Sequence, residues 1–311
     1  MKVHTDLEQL PGFKNAVVTI GTFDGVHTGH QKIIQQLKQA AESLGGETII
    51  ISFFPHPRKV VGNKPVKLIN TLDERIELLR LCDIDHLVVI PFTDAFSRQP
   101  ADQYVRQFLI EKFQPRIIVI GFDHRFGRNR EGDYHLLERL RAEGNYELLE
   151  IPAHVQHEVS VSSTAIRESV SRGDISIANE LLGYDFFFSG VVVEGDRLGR
   201  SIGFPTANLL VNDPEKLLPG DGVYAVDALL FGYTQKANTS NRIPGMMNIG
   251  LRPTVDGSRR RIEVNIFQFD RDIYRQTLRV FVKRFLRVEK KFTGISALKE
   301  QLEKDREAAS Q

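Results

Sequence analysis

One cysteine, Cys82, stands in 311 residues, so no disulfide can form within the chain and a reducing compartment, the cytoplasm, is the natural expectation. Neither sign of charge is in excess. The 41 Lys+Arg and 40 Asp+Glu leave +1, without the surplus that a general nucleic-acid coat or a membrane-surface binder carries. Any basic site must be local. No run reaches the roughly 18 apolar residues of a spanning helix; Ile49 to Ile51 and Phe186 to Phe188 are only short clusters. The opening MKVHTDLEQLPG has no apolar stretch of the kind that signals export. Hydrophobic residues at 41% and charged residues at 26% match ordinary globular usage and exclude a disordered, collagenous or disulfide-scaffold chain. The length is about twice that of a typical domain, which favours two.

From residue 17 onward, short apolar runs alternate with segments of helical period, the pattern of parallel strands joined by crossover helices. Strands are predicted at Val17 to Ile20, Thr48 to Phe54, His86 to Ile90, Arg116 to Ile120 and Glu147 to Ile151, mostly continuous apolar runs that read as covered on both faces. Ile33, Ile34, Leu37, Ala40, Ala41 and Leu44 recur at helical spacing before Gly45-Gly46. Thr71 and Glu74 have capping-box spacing ahead of Ile76, Leu79 and Cys82, which places Cys82 in the core; Pro100 precedes a helical segment from Asp102 to Phe113.

After Gly183 the period shifts toward two. Turn residues then recur: Gly199, Gly203, Pro219-Gly220, Gly245, Pro253 and Gly257. This predicts a small antiparallel β domain with strands at Val223 to Leu230, Arg261 to Phe267 and Thr277 to Phe285, closed by a helix from Ile295 to Asp305. Tyr233 to Arg242 reads as an exposed polar loop. The domains are therefore 1–183 and 184–311.

Gly21-Thr22-Phe23-Asp24-Gly25-Val26-His27-Thr28-Gly29-His30 lies between the first of these strands and its helix, at the carboxyl end of the sheet where open α/β folds bind ligands. A helix N-terminus offers free N–H groups to phosphate, and Gly29 has no side chain to obstruct close approach. A single histidine here would read as a cap. Two histidines three residues apart at the positive end of a helix are electrostatically unfavourable when protonated, unless an anion shares the place. Zinc is the alternative, but the only cysteine is distant and no HExxH occurs. Val161-Ser162-Ser163-Thr164-Ala165-Ile166-Arg167 offers hydroxyls and a guanidinium to phosphates; alone, it would read as a helix cap followed by an exposed arginine.

The HxGH pair and the Ser-Ser-Thr…Arg segment resemble the signature of nucleotidyltransferases. Phe54-Pro55-His56-Pro57-Arg58 and Gly121-Phe122-Asp123-His124-Arg125-Phe126-Gly127 extend the likeness to FMN adenylyltransferases. Gly199-Arg200-Ser201-Ile202-Gly203-Phe204-Pro205-Thr206-Ala207-Asn208, Asn248-Ile249-Gly250-Leu251-Arg252-Pro253-Thr254 and Glu263-Val264 resemble riboflavin kinase motifs in their order. Essentially the whole chain is similar to the prokaryotic bifunctional riboflavin kinase/FAD synthetases. The resemblance implies a Rossmann-like nucleotidyltransferase domain with a parallel sheet, then a small antiparallel β-barrel with a terminal helix. It implies conversion of riboflavin and ATP to FMN, then of FMN and ATP to FAD and pyrophosphate, both with Mg²⁺.

By the same resemblance, His27, His30 and Arg167 stabilise charge at the adenylyl site, where Gly21, Thr22, Phe23, Gly29, Phe54, His56, Pro57, Arg58, Asp123, Arg125, Ser163 and Thr164 bind nucleotide or flavin. In the kinase, Glu263 is the base, Thr206 and Asn208 hold Mg²⁺ and phosphate, and Gly199, Gly203, Pro205, Asn248, Arg252 and Thr254 complete the site. Ile262, Val264 and Ile266 alternate with Glu263 and Asn265, so a strand here turns Glu263 away from the aliphatic side. Otherwise Glu263 would read as an exposed strand residue paired with an arginine among Arg259 to Arg261.

His124 and Asn265 depart from the family's usual Phe and His, and Tyr274-Arg275 lacks a glycine often found there. Phe53, Phe54, Phe122 and Phe126 could face an isoalloxazine, although each by itself reads as core. Arg259 to Arg261, with Arg284, Arg287, Lys290 and Lys291, read as solvated faces. The alternatives are a nucleic-acid-binding protein built on the HxGH domain and a β-barrel, and a flavin-binding regulator that has lost one reaction. The leading reading takes small-molecule substrates, without nucleic acid, membrane or obligatory protein partner.

Overall fold

The computed structural model describes residues 1–62, 65–121, 124–151, 161–195, 198–231, 241–254 and 257–311, with the side chains of 198, 252–254 and 257–259 outside the description. Phe122, Asp123, Tyr233 to Ser240 and the side chains of Arg252, Thr254 and Arg259 therefore lie outside the described residues. The chain divides into two compact units, Met1–Ser163 and Thr164–Gln311.

In the first unit the strands are β1 (Lys2–His4), β2 (Val17–Ile20), β3 (Thr48–Phe54), β4 (His86–Pro91), β5 (Ile117–Gly121) and β6 (Glu147–Ile151). They form a parallel sheet in the order β1-β4-β3-β2-β5-β6. The chain runs outward from β2 through β3 to β4, then crosses to β5 and β6, so β2 and β5 flank the switch point. β2 is buried along its whole length. β6 is not the doubly covered strand its predicted class suggested: as the edge strand beyond β5 it keeps Glu147, Leu149 and Glu150 exposed. β1, too short to show a period, was not foreseen.

The predicted first helix is Thr28–Leu44, and Gly45 closes it in the left-handed region at φ 55°. Thr71 and Glu74 form the reciprocal capping box of the helix Leu72–Leu81. Cys82 is the half-buried C-cap of that helix and packs against the core from its edge; its Sγ donates to the Leu78 carbonyl, and burial pushes the thiol pKa up. The segment predicted as one helix from Asp102 is a helical turn Ala101–Gln103, a π-helix Tyr104–Ile110 and a final turn Glu111–Phe113. Tyr104 and Phe108 of the π-helix pack among Phe96, Phe113 and Phe126.

In the second unit the strands are β7 (Phe187–Val193), β8 (Ala207–Leu210), β9 (Gly222–Leu230), β10 (Ile243–Thr254), β11 (Gly257–Ile266) and β12 (Thr277–Arg287). They close an antiparallel barrel in the order β10-β11-β8-β7-β12-β9, which leaves no open edge. Gly245 and Pro253 are not turns but interior positions of β10, and Gly257 opens β11. At Gly245 a Cβ would stand 2.5 Å from the Asn265 carbonyl oxygen, so close strand packing demands glycine there. Arg242 is half-buried rather than in an exposed loop: it bonds Asp185 at 3.0 Å and lies over the Phe281 ring.

The helices Ser163–Arg172 and Ile175–Leu182 precede the barrel. Asn179 couples the second of them to β12, donating to the Val282 carbonyl at 2.9 Å and accepting from the Phe186 N–H at 2.8 Å. The terminal helix Ile295–Ser310 is clamped by Arg287, whose guanidinium meets both oxygens of the buried Asp305 at 2.6 to 3.1 Å, while Arg284 donates to the Ala308 carbonyl. These two arginines are therefore structural rather than solvated.

Breaking a buried pair strands its remaining charge, so Asp305→Asn should destabilise the second unit by about 3 kcal/mol or more. Urea unfolding of the whole chain followed by circular dichroism should show an earlier transition; an unchanged midpoint would contradict this. At the amino end of the first sheet, His4 Nε2 lies 3.0 Å from His86 Nδ1. Burial, then the neighbouring His86 and Lys2, hold the His4 pKa below 6.5. The unfolded chain therefore takes up this proton first, and stability present above that value is lost as the pH falls through it. The melting temperature of the parent should drop more steeply below that pH than that of His4→Gln.

Candidate active sites

In the first unit the residues gather at the carboxyl edge of the sheet, around the switch point. β2 ends into the segment Gly21–His27, and its backbone is strained: Phe23 and Val26 have φ of 49° and 36°, and Gly25 has 96°. A β-branched residue is a real outlier there, and such strain persists only where the surroundings over-determine it. Asp24 supplies part of that hold by accepting the N–H groups of Ile69 and Asn70 at 3.2 and 3.1 Å. Arg75, 4% exposed, supplies more. Its Nη1 donates to the Thr22 carbonyl, to Ser52 Oγ at 3.0 Å and to the Phe53 carbonyl at 3.4 Å.

His27 is the N-cap of Thr28–Leu44. Its Nδ1 accepts the His30 N–H at 3.3 Å, and the two imidazoles stack with centroids 3.6 Å apart. The capping reading and the ligand reading are therefore both available to one ring: with Nδ1 accepting, the proton of neutral His27 sits on Nε2, which can donate elsewhere. Gly29 serves this stack. A Cβ on it would come within 3.2 Å of His27 Nδ1. His30 packs on the Phe23 ring, and its Nδ1 is buried without a hydrogen-bond partner among the described residues. Burial, then His27 and Arg75, hold the His30 pKa well below the usual imidazole value.

At the end of β3, Phe54 is exposed, whereas Phe53 and Phe126 are core. His56 repeats the capping device: its Nδ1 accepts the Arg58 N–H at 3.2 Å, with Pro57 opening the short helix Pro57–Val61. After β5, Arg125 is ion-paired to Asp133 at 2.7 Å. Ser163 Oγ donates to the Asp24 carbonyl at 2.9 Å. Thr164 and Arg167 continue the Ser163 helix in the second unit, Arg167 one turn on and half-buried. Sequence reasoning passed over Arg75 because an arginine inside an amphipathic helix looks like a solvent-facing one.

Of the kinase-like residues of the second unit, Gly199, Thr206, Asn208, Asn248 and Glu263 line one cavity of about 280 Å³, whereas Pro205 borders a second, smaller one. The antiparallel register sets Glu263 of β11 directly opposite Asn208 of β8. Ile262, Val264 and Ile266 are buried in the core while Glu263 and Asn265 border the cavity, the alternation predicted for this strand. Gly199 and Thr206 also border it. At Gly199 a Cβ would stand 2.2 Å from the Phe204 carbonyl oxygen, and Gly203 has φ 86°, so this turn needs both glycines.

Thr206 and Asn208 offer a hydroxyl and a carboxamide oxygen, the hard donors that suit Mg²⁺, which takes its remaining ligands from phosphates and water. Among the described residues no group of three or more His, Cys, Asp or Glu is placed to hold a metal. The cavity also contains residues that the motifs did not include: Met246, Met247, Phe292, Leu298 and Glu289. Asn248 donates to Glu289 Oε1 at 3.1 Å. The apolar members come from β10, the terminal helix and, with Phe292, the segment that leads into that helix, whose meeting no local pattern reveals.

The FAD synthetase family model matches residues 11–165 and the riboflavin kinase model residues 182–311. The bifunctional riboflavin kinase/FMN adenylyltransferase of Escherichia coli K12 is 33% identical, over 96% of this chain and 93% of its own length. The namesake proteins of Listeria monocytogenes and Bacillus subtilis are 37% and 35% identical, over 94% of this chain and 90% and 91% of theirs. A solved Streptococcus pneumoniae structure, described as a macrolide-efflux protein, superposes with TM-score 0.87 at 29% identity over 99% of this chain and 98% of its own. Among the described residues, no helix here is long and apolar enough to cross a membrane. With relatives above 30% identity along nearly its full length, the chain belongs to the family of bifunctional riboflavin kinase/FMN adenylyltransferases.

Proposed function

We infer that the chain makes FAD from riboflavin in two steps, and that the kinase residues lie within 184–311 and the adenylyltransferase residues within 1–183. The observation that carries the kinase assignment is Glu263 facing Asn208 across β8 and β11 at a shared cavity. In the first step Glu263 accepts the proton of the ribityl 5′-hydroxyl as that oxygen attacks the γ-phosphorus of ATP. The new O–P bond makes FMN, the β,γ-bridging bond breaks, and ADP leaves. Thr206 and Asn208 hold the phosphates and would hold Mg²⁺, which would supply neutralisation of the phosphate charge. Asn248, Arg252, Thr254, Pro205, Gly199 and Gly203 complete this site.

In the second step a phosphate oxygen of FMN attacks the α-phosphorus of ATP, the α,β-bridging bond breaks, and pyrophosphate leaves with both electrons of that bond. His27 donates through Nε2 to the phosphate chain, and His30 and Arg167 stabilise the charge that develops on it. The N–H groups at the start of Thr28–Leu44 add to this. Gly21, Thr22, Phe23 and Gly29 shape that loop, while Phe54, His56, Pro57, Arg58, Asp123, Arg125, Ser163 and Thr164 border the nucleotide and flavin. We place the enzyme in the cytoplasm, as its single cysteine suggests, with small molecules as its partners.

Glu263→Gln keeps the size of the side chain but removes the proton acceptor. Riboflavin phosphorylation should fall by about 10² to 10⁴, while supplied FMN is still converted to FAD; chromatographic separation of the three flavins measures both. Normal phosphorylation would place the base elsewhere. His30→Ala should show the converse, a loss of roughly 10² in FAD formation with phosphorylation spared. In the parent, the His30 ring should titrate well below 6.5 by NMR and move upward when ATP is added, since a bound anion favours the imidazolium. A ring that ignores ATP would remove His30 from the phosphate site.

A further inference from the structure

β8 and β11 stop pairing one step beyond Glu263 and Asn208, at Ala207 with Val264. Thr206 therefore lies outside the ladder, in an exposed position, preceded by Pro205, which has no N–H to give. The next residue on β11 after Val264 is Asn265. It is 6% exposed and shares the cavity face with Glu263. Its Nδ2 donates to the Pro205 carbonyl at 2.6 Å. A side chain thus continues the ladder by one rung and grips the peptide that joins Pro205 to Thr206.

We propose that Asn265 is a positioning residue of the kinase site, fixing the Pro205–Thr206 peptide and so the place of the Thr206 hydroxyl relative to Asn208 and Glu263. The proposal rests on the assignment of Thr206 to the phosphates of ATP. The role requires a nitrogen donor of the right reach at the edge of the cavity. An asparagine carboxamide supplies one, and an imidazole N–H can replace it, whereas an alanine or an isosteric leucine cannot. Because the anchored peptide serves the nucleotide side, loss of the donor acts on ATP more than on riboflavin.

The test uses the whole chain with Asn265→Ala, Asn265→Leu and Asn265→His. The KM for ATP at saturating Mg²⁺ should rise about tenfold or more in the first two, an amount in keeping with a lost buried hydrogen bond. Asn265→His should stay within about threefold of the parent. Riboflavin binding without ATP, followed by flavin fluorescence, should stay within about twofold in all three, as should conversion of supplied FMN to FAD. A parental KM for ATP in Asn265→Ala, or an equal weakening of ATP and riboflavin, overturns the proposal. Loss of both reactions together would assign Asn265 to folding alone and overturn it too. Thr206→Val separates the two readings. If it raises the KM for ATP while Asn265→Ala does not, only the proposal fails; if it leaves that KM unchanged, the Thr206 assignment fails and takes the proposal with it.

Discussion

The first unit depends on a buried cation at the carboxyl edge of its sheet. Arg75 reaches the Thr22 and Phe53 carbonyls and Ser52 Oγ, joining the ends of β2 and β3 to the helix Leu72–Leu81. A guanidinium out of water is tolerable only when its donors find acceptors and a countercharge stands near; Asp24 acts on it from the strained loop. The result is a loop that keeps a valine at positive φ and holds two imidazoles in a stack. The same charge disfavours the protonated form of His30. One residue far from any motif therefore braces the loop and adds to the burial and the His27 charge that keep His30 neutral.

The second unit meets its constraint by closure. A six-stranded barrel has no edge to pair with other chains, but the short β8 leaves a gap in its ladder beside the cavity. Gly199 borders that cavity, and the clamp of Arg287 on Asp305 brings the terminal helix against it. The walls of the cavity are thus held by buried polar contacts as well as by strand pairing.

What the sequence discloses follows from how local each cause is. The helix ends at Gly45 and Thr71 were legible because caps are made by residues within a few positions. Glu263 was placed correctly because strand alternation is also local. β7 and β8 were not recognised as strands, and β10 was hidden by the Gly and Pro residues that barrel packing puts inside it. Nor was the buried role of Arg75, Arg287 or Asp305 legible, since charge on a helix or at a strand end looks solvated until the fold supplies its partner. Candidate residues came from motifs; the groups that position them came only from the structure.

The two histidine caps carry this distinction one step further. His27 and His56 each accept a backbone N–H through Nδ1 at the start of a helix. A serine or aspartate would cap as well, but neither could then offer a proton from its far side. Imidazole can, because its two nitrogens take opposite roles in the neutral ring. Capping fixes the neutral tautomer, with its proton on Nε2, at the positive end of a helix. At His27 the ring that caps the helix is also the ring proposed to serve the phosphates, so the structural reading and the proposed functional one do not compete.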